Sequence, residues 1–194
     1  PIPDRSIVLV GLMGAGKTCI GKRLARKLGM PFVDADVEIE AAADCSIEEI
    51  FARYGEQAFR DGERLVIARL LDEAPQVVAT GGGAFVSPET RENVREKGIS
   101  VWLKADLEVL LQRVSRRNNR PLLKNGDKRE TLERLMAERY PTYAEADFTV
   151  ESGNESPDGT VKKVLDALRQ RDGGSAGKST GRPQAEQHSD TAAE

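Results

Sequence analysis

Ile7-Val8-Leu9-Val10 is a short unbroken apolar run, the pattern of a strand covered on both faces. Further strand candidates stand near residues 32, 78, 101 and 149, and between them the apolar positions shift to helical spacing. Ile20, Leu24 and Leu28 recur every four residues, with Lys22, Arg23, Arg26 and Lys27 facing elsewhere. This predicts an amphipathic helix that opens at Lys17 and stops at Gly29. Pro31-Phe-Val-Asp-Ala-Asp36 predicts a short strand ending in acids. Ser46 and Glu49 have capping-box spacing and open a helix carrying Ile47, Ile50 and Phe51 towards Gly55. A longer helical pattern covers Gln57 to Glu73, followed by a buried strand, Val77-Val-Ala-Thr80. Ser87-Pro88 opens the next helix, with cap and first-turn proline in the expected order, and Gly98 ends it. Then come the strand Ser100-Val-Trp-Leu103, a helix from about Asp106 and a helix from Arg129 to Tyr140. The strand Phe148-Thr-Val150 and a last helix, with Val161, Val164, Leu165 and Leu168 on one face, complete the series.

Strands alternating with helices predict an α/β fold: a doubly wound, five-stranded parallel sheet flanked by helices. Ligands in such sheets bind beyond the carboxyl ends of the strands. Residues 1–171 fit one domain. From Asp172 the chain turns Gly-, Ser-, Gln- and Asp-rich without apolar periodicity, so 172–194 is expected to be a disordered polar tail. Gly177-Lys-Ser-Thr180 within it looks like half of a phosphate loop. Asp172 stands where the first glycine is needed, however, and no apolar run precedes it.

The complete version of that motif lies near the start. Gly11-Leu-Met-Gly-Ala-Gly-Lys-Thr18 fits G-x-x-x-x-G-K-[ST] and follows an apolar strand. Its glycines let successive N–H groups face one anionic centre, and the helix opening at Lys17 adds its positive end. Lys17 can then reach the β- and γ-phosphates of a nucleoside triphosphate, and the Thr18 hydroxyl can hold Mg²⁺.

Composition narrows the remaining chemistry. A net charge of −3 over 194 residues gives no cationic surplus for a nucleic-acid backbone, so phosphate binding must be local. No apolar run approaches a membrane span and no signal-peptide pattern is read, so neither nucleic acid nor membrane is an expected partner. Cys19 and Cys45 form no C-x-x-C, and a reducing cytoplasm is the expected compartment. The single histidine, His188, lies in the polar tail, which leaves carboxylates, Arg, Lys and backbone amides as the chemical groups.

Asp34 and Asp36 are the first candidates. As alternate residues of one strand they would point to opposite faces, a rule that loosens at a strand end. One acid can then approach the Mg²⁺ region while the other faces an acceptor hydroxyl; alternatively both are solvated turn acids. Gly81-Gly82-Gly83, directly after a buried strand, permits close backbone approach to a ligand or forms a flexible loop. Arg60 stands near Glu63, a possible orienting partner one turn on, while Arg113, Arg120 and Arg139 stand out only by context. Residues Arg116 to Lys128 are basic and poor in apolar positions, as expected of a lid closing over phosphates or of a merely exposed loop. Residue chemistry alone does not separate these readings.

From about residue 6 to 170 the pattern resembles the shikimate kinase family. The features that carry it are the Gly-Leu-Met-Gly-Ala-Gly-Lys-Thr loop, Phe-Val-Asp-Ala-Asp, Gly-Glu-Gln-Ala-Phe-Arg, Thr-Gly-Gly-Gly-Ala, Asn-Arg-Pro-Leu-Leu and Met-Ala-Glu-Arg-Tyr-Pro-Thr-Tyr, in that order. The phosphate loop is shared by a vast superfamily; the other motifs are much more specific. The resemblance implies a P-loop kinase fold with a mobile lid, ATP as co-substrate, Mg²⁺ as cofactor, and transfer of the γ-phosphoryl group to the 3-hydroxyl of shikimate, on the route to chorismate and the aromatic amino acids.

It also implies roles. Gly14, Ala15, Gly16, Lys17, Thr18 and Cys19 would cradle ATP, with Arg113 stacking on adenine. Asp36 would orient the acceptor hydroxyl, and Asp34 would support Mg²⁺ with Thr18. Arg60 and Arg139 would hold the shikimate carboxylate, a planar anion suited to a fork of donors. Backbone at Gly81, Gly82 and Gly83 would meet the ring hydroxyls, Gly82 foremost, and Arg120 would come down with the lid onto the phosphates. Cys19 departs from the Ser or Thr often found there, and Gly153 to Asp158 matches only loosely, so no residue is assigned in that segment. A monomer is expected. The competing expectations are a similar kinase acting on gluconate or a nucleoside monophosphate, and a nucleotide-binding regulatory module without transferase activity.

Overall fold

The computed structural model describes residues 3–116 and 127–175. Arg120, nearly all of the basic stretch around it, and Gly177–Thr180 with the rest of the tail lie outside the described residues.

The apolar runs form one five-stranded sheet with every pairing parallel: β1 (Ser6–Val10), β2 (Phe32–Asp34), β3 (Val77–Ala79), β4 (Gly98–Lys104) and β5 (Phe148–Glu151). Their order is β2-β3-β1-β4-β5, which puts β1 at the centre between β3 and β4. Ile7, Val8 and Leu9 have no exposed surface, as a central strand sandwiched between helices requires. Val8 pairs with Val78 on one side and Ser100 on the other, so the register brings the ends of β1 and β3 to one edge. That edge is where the phosphate loop and the triple glycine leave the sheet.

Helices α1 (Lys17–Leu28), α2 (Ala35–Ala43), α3 (Ile47–Asp72), α4 (Pro88–Lys97), α5 (Leu107–Ser115), α6 (Lys128–Tyr143) and α7 (Pro157–Ser175) flank the sheet. Helix α1 packs against α7, α3 against α2 and α4, and α5 against α6. The expected capping box is present, with Ser46 and Glu49 each satisfying the other's backbone N–H, and Ser87 caps α4 through Thr90 N–H. The two helical patterns read on either side of Gly55 join into α3, with Gly55 (φ 82°) as the non-helical break between them. The last helix runs to Ser175, past the boundary expected at Asp172.

Two elements differ from the sequence reading. Pro31–Asp36 is not one strand: β2 ends at Asp34, which caps α2 by accepting from Asp36 N–H. Asp36 therefore sits in the first turn of a helix, and the alternation argument for the acid pair does not apply. Helix α6 also continues past Tyr140, with Pro141 inside its last turn, and ends at Tyr143. A proline there loses one backbone hydrogen bond without ending the helix, because burial of Leu132 and Leu135 holds the turns before it and burial of Tyr143 holds the residue after it.

Candidate active site

The phosphate loop turns sharply as it leaves β1. Gly14 and Gly16 take φ of 83° and 98°, in the left-handed region that side chains resist. Lys17 Nζ donates to the carbonyls of Gly11 at 2.6 Å and Leu12 at 2.9 Å, so the ammonium lies curled over the loop. Thr18 Oγ1 donates to Asp34 Oδ2 at 2.8 Å, and Asp36 N–H donates to Asp34 Oδ1 at 3.1 Å. One carboxylate thus joins the phosphate loop to the turn that carries the second acid.

A cavity of about 340 Å³ runs along this edge. Gly14 to Ile20 line its centre, Asp34, Asp36, Thr80, Gly81 and Gly82 line one end, and Arg113, Ser152, Glu155 and Pro157 line the other. Arg116, the last described residue before the basic stretch, also reaches it. Cys19 lines the cavity, with Arg23 Nη1 3.6 Å from its sulfur.

The triple glycine has a use that sequence reasoning missed. Its three missing side chains are the space taken up by charged groups. A Cβ at Gly81 would stand 2.9 Å from Glu63 Oε1 and 3.0 Å from Asp36 Oδ1. At Gly82 it would stand 3.1 Å from Arg139 Nη1, and at Gly83 it would stand 2.5 Å from both terminal nitrogens of Arg60. The close approach is first of all between this backbone and the protein's own ions. Thr80, at the mouth of the loop, anchors it by donating Oγ1 to Leu9 O at 2.9 Å.

Arg60 is held by Glu63, Nη1 to Oε2 at 2.7 Å, as their helical spacing suggested, and by Glu56 more loosely at 3.5 Å. Glu63 is 2% exposed, and its Oε1 has no hydrogen-bond partner among the described residues. Burial pushes the Glu63 carboxyl above the ordinary carboxylate range; Arg60 opposes that push and Asp36 adds to it. Arg139, on α6, shares this end of the site: it approaches Gly82, and its charge acts on the buried Tyr143. Tyr143 in turn donates its hydroxyl to Gly82 O. Burial pushes the Tyr143 phenol up to about 12, so it stays protonated and a donor across the neutral range.

At the opposite end Arg113 reaches back to the phosphate loop. Its Nη1 donates to Gly14 O, Ala15 O and Ser152 Oγ at 3.1 to 3.3 Å, and its Nη2 to Gly153 O. Burial lowers its pKa and the charge of Glu155 opposes that change. Ser152 is 2% exposed and donates to Ala15 O at 3.0 Å, so it ties the end of β5 to the loop. Glu155, which carried no expectation, is held down at about 2, chiefly by a 2.7 Å hydrogen bond from Lys163.

The sequence candidates therefore fall into one arrangement. Asp34, Asp36 and Gly81 to Gly83 stand at one end with Arg60 and Arg139 against the glycines, Lys17 and Thr18 lie in the middle, and Arg113 closes the other end. Tyr143 and Ser152 escaped notice because their partners lie 61 and 137 residues away along the chain.

Comparison with known proteins shows the family. The shikimate kinase family model matches residues 13–169. Over 164 residues the chain is 63% identical to a shikimate kinase of Paramagnetospirillum magneticum, covering 84% of each chain. It is 59% identical over 170 residues to one of Caulobacter vibrioides, covering 88% of this chain and 85% of that one. The solved shikimate kinase of Acinetobacter baumannii in complex with shikimate superposes with a TM-score of 0.83 at 38% identity, over 88% of this chain and 96% of the other. With the family model matching most of its length and these relatives so similar, the chain belongs to the shikimate kinase family, ATP-dependent kinases of shikimate.

Proposed function

We propose that the two ends of the cavity divide the reaction, with ATP seated from Arg113 to Thr18 and shikimate lying against Gly81 to Gly83. The observation that carries this reading is the convergence on the triple glycine of one acid that reaches the phosphate loop through Asp34 and two arginines that do not. Asp36 orients the 3-hydroxyl and accepts its hydrogen bond. Arg60 and Arg139 take the carboxylate, and the N–H groups of Gly81 to Gly83, with Gly82 foremost, meet the ring hydroxyls. Gly14, Ala15, Gly16, Lys17, Thr18 and Cys19 cradle the phosphates, and Lys17 leaves its carbonyl contacts to reach them. Arg120, outside the described residues, completes the charge around the phosphates.

Thr18 Oγ1 and Asp34 Oδ2 are hard oxygen donors side by side, which suits Mg²⁺. Among the described residues no group of three or more His, Cys, Asp and Glu could hold a metal by itself. A cation taking one or two protein oxygens and otherwise substrate phosphates and water needs no such group. Bound there, Mg²⁺ neutralises charge on the transferring phosphoryl group. Residues 1–171 form the catalytic domain in this reading. The short edge strands β2 and β5 suit a monomer, and the unpaired Cys19 and Cys45 suit the reducing cytoplasm. Among the described residues no helix is long and apolar enough to cross a membrane.

Shikimate and its neutral methyl ester, compared as acceptors with Mg·ATP, test the placement of the carboxylate. The reading expects the ester to show a KM at least about tenfold higher, as hydrogen bonds to a charged group are lost. An ester used as well as the acid would remove Arg60 and Arg139 from the carboxylate site.

A further inference from the structure

We infer that Tyr143 is a positioning residue for the acceptor, setting Gly82 and Arg139 relative to one another through a single buried hydroxyl. The inference rests on the placement of shikimate proposed above and adds a residue to it. Tyr143 has no exposed surface and ends α6, the helix that also carries Arg139 four residues earlier. Its hydroxyl donates to Gly82 O, and the charge of the Arg139 guanidinium acts on the same hydroxyl. Arg139 Nη1 itself lies where a Cβ at Gly82 would be crowded, 3.1 Å away. Three groups from two elements thus meet at one oxygen, and two of them, a backbone amide unit and a guanidinium, are those that face the acceptor.

The ring is fixed independently of the hydroxyl. Trp102 packs 5.8 Å from it and Tyr140 6.1 Å, centroid to centroid. Tyr140 spends its own hydroxyl elsewhere, donating to Ala105 O at 2.6 Å. Packing alone would be served by phenylalanine at position 143. The hydroxyl adds a fixed polar link between the loop after β3 and the end of α6. Without it Gly82 O loses its donor, and the peptide unit between Gly82 and Gly83, which carries the Gly83 N–H, is free to rotate away from the ring hydroxyls.

Steady-state kinetics of Tyr143→Phe test the inference, with Trp102→Phe and Arg139→Ala alongside. Removal of one hydrogen bond of this kind corresponds to a several-fold to roughly tenfold weakening. The expected result for Tyr143→Phe is a shikimate KM raised by about that factor with the ATP KM within about twofold of wild type. Trp102→Phe, which thins the same cluster without touching the hydroxyl, is expected to lower Tm and leave the shikimate KM in place. An unchanged shikimate KM in Tyr143→Phe overturns the inference, as does a rise in both KM values matched by Trp102→Phe. Should Arg139→Ala leave the shikimate KM unchanged, the placement of shikimate itself fails; should Arg139→Ala raise it while Tyr143→Phe does not, only the role of Tyr143 fails.

Discussion

Thr18 donates its hydroxyl to Asp34 across 2.8 Å, and so ties the first turn of α1 to the residue that caps α2. The two oxygens of Asp34 do different jobs. One accepts from the phosphate-loop hydroxyl and the other from Asp36 N–H, which sets the turn on which the second acid stands. The phosphate loop and the turn that carries Asp36 are thereby registered through one side chain.

Asp34→Asn separates the charge of that residue from its capping role, since asparagine caps a helix about as well as aspartate. The fold should be retained, with Tm within a few degrees of wild type. The Mg²⁺ concentration for half-maximal activity should rise about tenfold at saturating ATP and shikimate. A magnesium titration of both proteins checks this, and superimposable curves would argue against Asp34 as a metal-side acid.

Gly83→Ala places a methyl group 2.5 Å from the Arg60 guanidinium, a distance at which something must move. The backbone there belongs to the loop anchored through Thr80, so the guanidinium is the part that yields. Arg60 would swing from the glycine face, and the shikimate KM should rise tenfold or more with the ATP KM little changed. Isothermal titration with shikimate gives the same comparison without turnover.

The strands and most of the helices were legible because the inner strands β1, β3 and β4, buried on both faces, demand near-continuous apolar runs, while the edge strands β2 and β5 carry shorter apolar stretches at a matching spacing along the chain. Helix α2 was not, since only Ala35 and Ile39 of its nine residues are buried and no apolar stripe marks it. Its start was hidden by Asp34, which serves as last residue of a strand and as cap at once. The identities of the acids, the arginines and the glycines could be read from motifs. Why the glycines are glycines could not, because that depends on Arg60, Glu63 and Arg139 arriving from α3 and α6. Pro141 similarly masked Tyr143 by looking like a helix end.

Glu63 should make stability depend on pH. Its pKa is raised in the folded chain above the ordinary value of 4.5, chiefly by burial, so the folded state holds the proton more tightly than the unfolded one. That contribution is fully present below 4.5 and is lost as pH rises through the raised folded value. Urea unfolding across this window should show wild-type stability falling with rising pH relative to Glu63→Gln. Parallel curves for the two proteins would show that Glu63 titrates alike in both states.

Asp36, brought onto the first turn of α2 beside the triple glycine, is proposed to orient the acceptor hydroxyl. The most direct test is the rate of ADP release from saturating Mg·ATP, with and without shikimate, in wild type and Asp36→Asn. An acid that positions or accepts the transferred proton contributes on the order of a hundredfold or more. Wild type is expected to show shikimate-dependent release that falls by at least about that factor in Asp36→Asn, with ATP affinity within about twofold. Release in Asp36→Asn close to the wild-type rate would contradict that role.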